Sequence, residues 1–481
     1  MKKSISFLFF IILAFLIFNN SSNIYASTSD ENNISYQSNN NEIDQEEGPI
    51  VEDSDSINKK TSNKNKGKKA KGFLKNFNAS KGALVNIESI KDDETYSAAD
   101  SSDSNSQKSK KSYSKSLENK VIKANEANIK NSSKKGYIKE RYFIPGHETK
   151  EMVCQGIAYL PNKVMKAKEQ CNGDYCRYVL LSYYPKESNQ PCQIIAIDRE
   201  KGKAVRRFAL YNSKGNKYDG HCGGIAVAGK YLWVASGFKI RAFKVQEIID
   251  FILDKNAKTD SAKGLPNSFD KLPAKKLIAE KKYGVDSKAS YISFDGQYLW
   301  VGDFAKASAK NYQPVKHHKV MGRKCWIAGY LVNDNGYPTS KTKYTVEKQK
   351  VHKPDAIIAM RQSVQGVAVC GNHIALSISF GAKKSKLAFY KNPLNTKSEN
   401  VTYKAGGDKH SVKAWELSSK KNHVKTIKLA AGSEDLEYDG ENLFVTFECS
   451  SKNYRAKWSK QGGKITEDFY IINPKKILKK K

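Results

Sequence analysis

Polar residues recur at the beginning of five similar apolar stretches of this sequence. The aligned positions are Gln155, Gly223, Ser290, Gln365 and Glu434. Carboxylate, amide and hydroxyl oxygens are the ligands that Ca²⁺ prefers, and the ion takes about six to eight of them from several chain segments. If the five stretches meet around one axis, these positions predict a ligand-binding ring with Glu434 as a metal ligand and Ca²⁺ as the candidate cofactor.

Other polar residues near these positions are candidates for the chemistry of such a ring. The candidate channel-lining residues are Gln155, Ser290, Asp303, Gln365 and Asp435. His221, in "DGHCGG", is the candidate general base, because a histidine titrates close to neutral pH. A cation held at Glu434 would polarise an ester, lactone or phosphate oxygen. The alternative is that these residues only give a water-filled channel its polar lining.

The stretches that carry these residues form a regular repeat. Two short apolar runs flank a Gly-containing turn in "GGIAVAGKYLWVAS", "YISFDGQYLWVGDF", "QGVAVCGNHIALSIS" and "EDLEYDGENLFVTFE", and a fifth copy begins with "QGIAYL". This pattern predicts antiparallel hairpins. The five aligned positions are separated by 68, 67, 75 and 69 residues, which indicates propeller-like units lengthened by insertions.

Further strands are predicted behind each hairpin. The third strands are expected at 193–198, 240–245, 327–332, 413–418 and 468–473, and the fourth strands at 205–211, 276–283, 344–351 and 424–430. The last unit lacks a fourth strand, and the run 139–146 is predicted to supply it and to close the ring. The sequence therefore predicts an all-β fold, a five-bladed β-propeller of four-stranded antiparallel blades with small helical insertions, one of them at 245–254. A β-sandwich or barrel is the alternative that the regular spacing disfavours.

The first 135 residues differ in composition from the rest of the 481-residue chain. The segment "MKKSISFLFFIILAFLIF" joins lysines to an apolar run, so residues 1–26 predict a signal peptide and an exported protein. An uncleaved membrane anchor is the alternative. Residues 27–135 are rich in Ser, Asn, Lys and acids, which predicts a disordered charged linker before a propeller domain at 136–481. The C-terminal "INPKKILKKK" carries no apolar anchor, and a monomer is expected.

Positive charge is concentrated in the predicted propeller. The formal net charge is +34; residues 27–135 hold 19 Lys and 17 acids, whereas residues 136–481 hold 62 Lys or Arg and 32 acids, a net of +30. Such a field attracts polyanions. The predicted function is binding of an anionic polymer, which would be teichoic acid, a polysaccharide or extracellular nucleic acid, with electrostatic association with the cell wall. A metal-assisted hydrolase or lactonase at the channel mouth is the alternative.

Eight cysteines lie between Cys154 and Cys449. An even count permits disulfides in an oxidising compartment, and Cys171 and Cys176 are close enough in sequence to pair locally. The other cysteines could pair or remain buried thiols. No CxxC or His-x-His spacing indicates zinc, and the GxSxG and HExxH signatures of common hydrolases are absent from the sequence.

The order of "CQGIAYLP", "GHCGGIAVAGKYLWVAS", "ASYISFDGQYLWVGDF" and "VQGVAVCGNHIALSISFG" resembles a group of secreted bacterial β-propeller proteins over about residues 140–450. More distantly, the sequence is similar to strictosidine-synthase-like and gluconolactonase-like propellers. That resemblance implies a central metal bound by Glu and Asn side chains, with Glu434 at the position of the family Glu. Gln155, Ser290 and Gln365 stand where Asn or Asp is expected, which is a departure from the family pattern.

Overall fold

Five small antiparallel sheets form a ring in the part of the chain that the structure describes. The computed structural model of the protein describes residues 136–146, 151–161, 177–186, 190–258 and 272–479. The ring is a five-bladed β-propeller, which confirms the predicted fold. The predicted signal peptide at 1–26, the predicted linker at 27–135 and the loop with Cys171 and Cys176 lie outside the described residues. Within the described ranges, no helix has the length and apolar composition that a membrane crossing requires.

The segment 276–283, predicted as one strand, contributes to both blade 1 and blade 2. Blade 1 consists of β2 (Met152–Tyr159), β3 (Tyr178–Pro185), β4 (Gln193–Asp198), β5 (Lys203–Tyr211) and β9 (Ala274–Ile278), with β9 parallel to β5. Blade 2 consists of β6 (Gly224–Ala228), β7 (Tyr231–Ser236), β8 (Lys239–Lys244) and β10 (Lys281–Gly284). The predicted strand 276–283 is therefore divided, because its beginning extends blade 1 and its end completes blade 2.

Blade 3 is a six-stranded sheet. Its strands are β11 (Tyr291–Phe294), β12 (Tyr298–Gly302), β13 (Cys325–Leu331), β16 (Ala356–Met360), β21 (Asp408–Glu416) and β20 (Glu399–Ala405). The predicted fourth strand at 344–351 is wrong, since that segment spans a separate hairpin of β14 (Lys343–Val346) and β15 (Gln349–His352). All five residues of β16 are buried, whereas β14 alternates exposed and buried residues. The continuous apolar run of β16 suits an interior strand covered on both faces.

Blades 4 and 5 complete the ring. Blade 4 consists of β17 (Val364–Cys370), β18 (His373–Ile378), β19 (Lys384–Lys391) and β22 (His423–Ala431). Its third strand is therefore β19, and the prediction of 413–418 as that strand is wrong. Most of that segment lies in β21 of blade 3. Blade 5 consists of β23 (Ser433–Tyr438), β24 (Leu443–Phe447), β25 (Asp468–Ile472) and β1 (Ile138–Phe143). β1 pairs antiparallel with β25, which confirms the predicted closure by the N-terminal strand.

The helices and the large aromatic residues pack against these sheets. The helices are α1 (Val245–Leu253), α2 (Lys452–Lys460) and α3 (Pro474–Leu478), with 3-10 turns at Lys310–Tyr312, Lys316–His318, Pro393–Asn395 and Glu448–Ser450. The apolar stripe of α1 is buried in a cluster with residues of blades 1 and 2, as predicted for 245–254. Trp233 and Trp300 are fully buried, so they are core residues and do not form a binding platform.

The described cysteines are buried thiols. They are Cys154, Cys192, Cys222, Cys325, Cys370 and Cys449. None of these six forms a disulfide in the described part of the chain, so the predicted disulfides are not confirmed there.

Candidate functional site at the propeller mouth

The first strands of three blades are bulged where predicted site residues lie. Their pairing with the second strand shifts register around Gln155 in β2, around Gln365 in β17 and around Glu434 in β23. Gly223 and Ser290 instead lie just before β6 and β11, whose pairing is regular. A bulge leaves a residue outside the ladder and re-aims its side chain. The bulged residues lie at the end of the ring where first strands begin and second strands end, which we call the mouth.

A second glutamate completes the group at the mouth. Glu448 directly follows β24, and the paired strand β23 begins beside it, so Glu448 lies next to Glu434. The two carboxyl groups are hydrogen-bonded to each other. Gln365 Nε2 donates to Glu434 Oε1 at 3.2 Å, and Gln155 Nε2 donates to Glu448 Oε2 at 3.3 Å. Side chains from blades 1, 4 and 5 therefore converge on one pair of acids, which we call the acid pair (Glu434 and Glu448).

Burial raises the pKa of both members of the acid pair. The pKa of Glu434 lies well above its usual range, because of burial first and the negative charge of Glu448 second. Burial raises the pKa of Glu448 to about 7, although the hydrogen bonds from Gln155 and Glu434 and the charge of Lys186 act to lower it. Two carboxyl groups in contact resist double ionisation, so the pair keeps a proton near neutral pH. Such a pair can accept and donate protons, or it can release its proton and bind a cation.

Two tyrosines, a lysine and His221 lie beside the acid pair. The hydroxyl groups of Tyr184, in β3, and Tyr454, in α2, are 3.1 Å apart. Lys186 Nζ donates to the Tyr454 hydroxyl at 3.2 Å and lies 4.5 Å from the centroid of that ring. His221 is exposed and stacks on Tyr184, with 4.4 Å between the ring centroids. Desolvation, limited to the part of the ring that stacks on Tyr184, and the charge of Lys186 act to lower the pKa of His221, so the ring is neutral at pH 7.

Ser290 and Asp303 make contacts other than those of the acid pair. The Ser290 hydroxyl oxygen accepts the backbone N–H of Phe304 at 2.9 Å. Asp303 Oδ1 accepts the hydroxyl of Ser287 at 2.9 Å and lies 3.9 Å from His318 Nδ1. Asp303 therefore belongs to a different cluster, which involves His318.

Asp435 lies among the first strands, at the centre of the ring. Its Oδ2 accepts the backbone N–H of Ile157 at 3.3 Å and of Ile225 at 3.1 Å. The backbone N–H groups of Ile292 and Leu436 act to lower its pKa, but Oδ1 is buried without a hydrogen-bond partner. Asp435 is fully buried, and burial raises its pKa although these donors act to lower it. The predicted channel ligand therefore links its own strand β23 to the first strands of blades 1 and 2.

Glycines allow the first strands to approach this carboxylate closely. A Cβ on Gly156 would lie 2.9 Å from the backbone nitrogen of Ile225, and a Cβ on Gly366 would lie 2.8 Å from that of Leu436. These distances are shorter than a side chain tolerates, so both positions require glycine. Gly156 and Gly366 directly follow Gln155 and Gln365, which explains why the amide and the glycine occur together in both blades.

The sequence interpretation did not include Glu448, Tyr454 or Lys186. The alignment compared the first strands of the repeat, whereas Glu448 follows a second strand. A usable signal was present, because the second strand of a hairpin ends where the first begins. The residue after "LFVTF" in the copy that contains Glu434 therefore had to lie beside Glu434.

Acidic and basic residues are distributed differently between the interior and the surface of the described propeller. The buried acids are Glu140, Asp198, Asp286, Asp303, Glu434, Asp435, Glu437 and Asp468. The buried cations are Arg199 and Arg207, and no lysine in the described ranges is buried. The exposed surface therefore carries a larger positive excess than the composition alone indicates.

One exposed basic face lies at the outer edge of blade 3. Lys404, Lys409 and Lys413 are exposed on the hairpin of β20 and β21, and Lys404 is directly opposite Lys409. We call this set the basic hairpin face. The other side of the hairpin packs inward through Tyr403, whose hydroxyl lies 2.9 Å from that of Tyr344. Like charges directly opposite on paired strands repel, so a bound anion would stabilise this face.

Comparison with known proteins finds distant likenesses among solved structures. The structure of Myxococcus xanthus glutaminyl cyclase is similar with 8% sequence identity and a TM-score of 0.32, and the match covers 70% of this chain and 95% of that chain. This likeness is too distant to bear on activity. No protein-family model and no curated protein matches the chain. The resemblance to strictosidine-synthase-like and gluconolactonase-like propellers therefore stays a prediction.

Proposed function

We propose that the protein is an exported monomer that binds an anionic polymer, which would be teichoic acid, a polysaccharide or extracellular nucleic acid, and that charge associates it with the cell wall. The observation that carries this proposal is that eight acids are buried whereas no lysine in the described ranges is. Lysines that neutralise phosphate groups release condensed counterions, which drives binding without a defined sequence or cleft. The basic hairpin face (Lys404, Lys409 and Lys413) is the part of the surface where we expect the strongest contact.

The salt dependence of binding tests this proposal. The full mature chain is titrated with a poly(glycerol phosphate) polymer and with single-stranded DNA between 50 and 200 mM salt. Six to ten phosphate contacts would lose about 10³–10⁵ in affinity across that range. Binding that is absent at low salt, or that does not change with salt, would contradict the proposal.

A matched pair of variants locates the contact. The variant Lys404→Glu/Lys409→Glu/Lys413→Glu reverses the basic hairpin face. The control Lys214→Glu/Lys230→Glu/Lys255→Glu makes the same charge change at exposed lysines of blades 1 and 2 and of the segment after α1. We expect the first variant to lose much more affinity than the control. Equal losses would assign binding to the overall charge and not to this face.

A second candidate function is a metal-assisted hydrolase or lactonase at the mouth. The convergence of Gln155, Gln365 and the acid pair favours it, because four oxygen-bearing side chains meet there. Two carboxylates and two carboxamides fit the donor chemistry of Ca²⁺ once the acid pair is ionised. A bound Ca²⁺ would supply Lewis-acid polarisation of an ester or lactone carbonyl. His221 would accept the proton of the attacking water.

Calorimetry with and without millimolar Ca²⁺ tests the metal part of this candidate. We expect Ca²⁺ to raise the melting temperature of the wild type and to leave that of Glu434→Gln unchanged. Glu441→Gln, an exposed substitution in the same blade, is the control and should respond like the wild type. An unchanged wild-type melting temperature across this range would eliminate the calcium site. Hydrolysis of a panel of lactones and aryl esters would then test whether the acid pair and His221 catalyse the reaction without a metal.

A further inference from the structure

A second group of titratable side chains lies in blade 3. Asp286 is located between β10 and β11 and is fully buried. His317 and His318 belong to the 3-10 turn Lys316–His318, in the long loop between β12 and β13. The loop folds back so that both rings reach the same carboxylate. We call these three residues the His–Asp cluster.

Both histidines direct the same ring nitrogen at this carboxylate. His317 Nε2 lies 2.8 Å from Asp286 Oδ2 and 3.0 Å from Oδ1. His318 Nε2 lies 3.3 Å from Asp286 Oδ1. One ligand atom from each of the three residues can be chosen so that all of them lie within 4.8 Å of one another.

These spacings are close to those of a first-row metal site. Zinc binds imidazole nitrogen and carboxylate oxygen at about 2.0–2.2 Å, so the ligand atoms of a tetrahedral site lie about 3.3 Å apart. The His318–Asp286 distance of 3.3 Å equals this value, and the His317–Asp286 distance of 2.8 Å is about half an ångström shorter, as in a hydrogen bond. A small outward movement of the 3-10 turn would open the centre of the cluster for a cation. Two imidazoles and one carboxylate form a donor set that suits zinc and neighbouring divalent metals.

A second carboxylate lies behind one of the ligands. His318 Nδ1 is 3.9 Å from Asp303 Oδ1, and Asp303 is held in place by the hydroxyl of Ser287 at 2.9 Å. Histidines that bind metal through Nε2 commonly present their Nδ1–H group to a carboxylate. If a cation were bound to Nε2, the single N–H proton of the neutral His318 ring would be on Nδ1, which faces Asp303.

Aromatic side chains enclose the cluster. Trp326 stacks on His318 with 4.1 Å between ring centroids, and Tyr403 stacks on His317 at 5.6 Å. The Tyr344 hydroxyl contacts Asp286 and is the nearest additional oxygen donor. The His317 side chain is 11% exposed, whereas that of His318 is 1% exposed, so His317 marks the access route from solvent. A site enclosed in this way suits a structural metal more than a catalytic one.

We propose that Asp286, His317 and His318 form a structural site for a zinc-class divalent cation. The ion would tie the loop after β12 to the segment between blades 2 and 3 and, through Tyr344, to the hairpin of β14 and β15; the last two are already joined by the bridge between Val285 and His352. This site is separate from the acid pair and does not depend on the function proposed for the surface.

Titration of the full mature chain tests the proposal. The protein is first treated with a chelator and then titrated with Zn²⁺ by calorimetry, with melting temperatures measured in parallel. We expect one Zn²⁺ per chain and a higher melting temperature, with no competition from Ca²⁺. Co²⁺ should give the visible absorption of a nitrogen and oxygen site without a thiolate charge-transfer band, which excludes binding by the buried cysteines.

Substitutions assign the ligands. His317→Gln and His318→Gln should each bind Zn²⁺ at least tenfold more weakly than the wild type. His373→Gln, a partly exposed substitution in blade 4, is the matched control and should bind like the wild type. If His318→Gln fails to fold, the His317→Gln variant and the Co²⁺ spectrum of the wild type still test whether the cluster binds the metal. A wild type that takes up no stoichiometric Zn²⁺, or a His317→Gln variant that binds as tightly as the control, would overturn the proposal and leave a metal-free ion-pair cluster.

Discussion

The acid pair at the mouth and the His–Asp cluster in blade 3 are both built around a buried carboxyl group, but their pKa values move in opposite directions. Burial acts to raise the pKa of Glu434 and of Asp286 alike. Glu434 faces the carboxyl of Glu448, which raises its pKa further. Asp286 accepts hydrogen bonds from His317 and His318, and these lower its pKa below the usual range in spite of burial. The comparison teaches that the partner, more than the burial, sets the charge of a carboxyl group in this protein.

The largest effect is expected at Asp435, the buried carboxylate whose partners are backbone groups. Asp435→Leu would leave the N–H groups of Ile157 and Ile225 without their acceptor. Each buried group left unpaired costs about 1–3 kcal/mol, so we expect the free energy of unfolding to fall by several kcal/mol. Asp435→Asn keeps one acceptor oxygen and should melt cooperatively at a lower temperature. An Asp435→Leu chain that melts within a few degrees of the wild type would show that this carboxylate does not join the blades.

The next effect is expected at Asp286 in the chelator-treated protein. Asp286→Asn removes the charge that both histidines and Tyr344 contact. Hydrogen bonds to a charged group contribute about 1.5–3 kcal/mol each, so the free energy of unfolding should fall by at least that amount. Denaturant unfolding at pH 6 measures it, with the exposed Asp408→Asn as the control. A loss no larger than that of the control would mean that the cluster contributes no electrostatic stability.

Glu448→Gln is expected to act in the opposite direction. The pKa of Glu448 is raised from 4.5 to about 7 on folding, so the folded chain binds more protons than the unfolded chain between these values. Its contribution to stability is present below pH 4.5 and is lost as the pH rises toward 7. In calcium-free buffer, the substitution should therefore raise the free energy of unfolding at pH 8 relative to the wild type, by about 3 kcal/mol. Little difference is expected at pH 4, and a variant less stable than the wild type at pH 8 would contradict the assignment of a strained acid pair.

The smallest effect is expected at an exposed glutamate of the same blade. Glu441 lies 3.4 Å from Lys139, and their side chains are 47% and 38% exposed. Solvent screens such pairs, so Glu441→Gln should change the free energy of unfolding by less than about 0.5 kcal/mol at any pH from 4 to 8. A larger change in the free energy of unfolding for Glu441→Gln would show that solvent exposure does not distinguish this ion pair from the buried carboxyl groups.

The repeat allowed the inner part of the fold to be predicted, and the outer part was predicted less well. The hairpins that contain Gln155, Gln365 and Glu434 are local, and each joins two adjacent apolar runs through a short turn or a single insertion. For the outer strand of a blade, by contrast, the sequence offers several apolar runs, and these lie far along the chain from the hairpin with which they would pair. The run 344–351 and the buried strand Ala356–Met360 both had acceptable composition, and only packing against β13 and β21 decided between them.

The same distinction applies to the candidate sites. Aligning the repeat placed Gln155, Gln365 and Glu434 at equivalent positions, and the structure brings these three together around Glu448. The alignment also grouped Ser290, Asp303 and Asp435 with them, but these residues bond to Phe304, Ser287 and the central backbone groups respectively. The bulges in β2, β17 and β23 distinguish the first three residues from Ser290 and Asp303, and a bulge depends on how two strands pair in three dimensions. Asp435 lies in the same bulge as Glu434 but contacts backbone groups.

By itself, the sequence determined the number of blades, the closure by an N-terminal strand and the concentration of positive charge on the propeller. These features follow from the spacing of the repeat and from composition, which can be read from the sequence without knowing which residues meet in the folded chain. Only the tertiary structure decided that Glu448 faces Glu434, that His317 and His318 reach Asp286, and that eight acids but no described lysine are buried. Those contacts join residues that are up to dozens of positions apart, and the energy of a buried charge depends on the partner that folding brings to it.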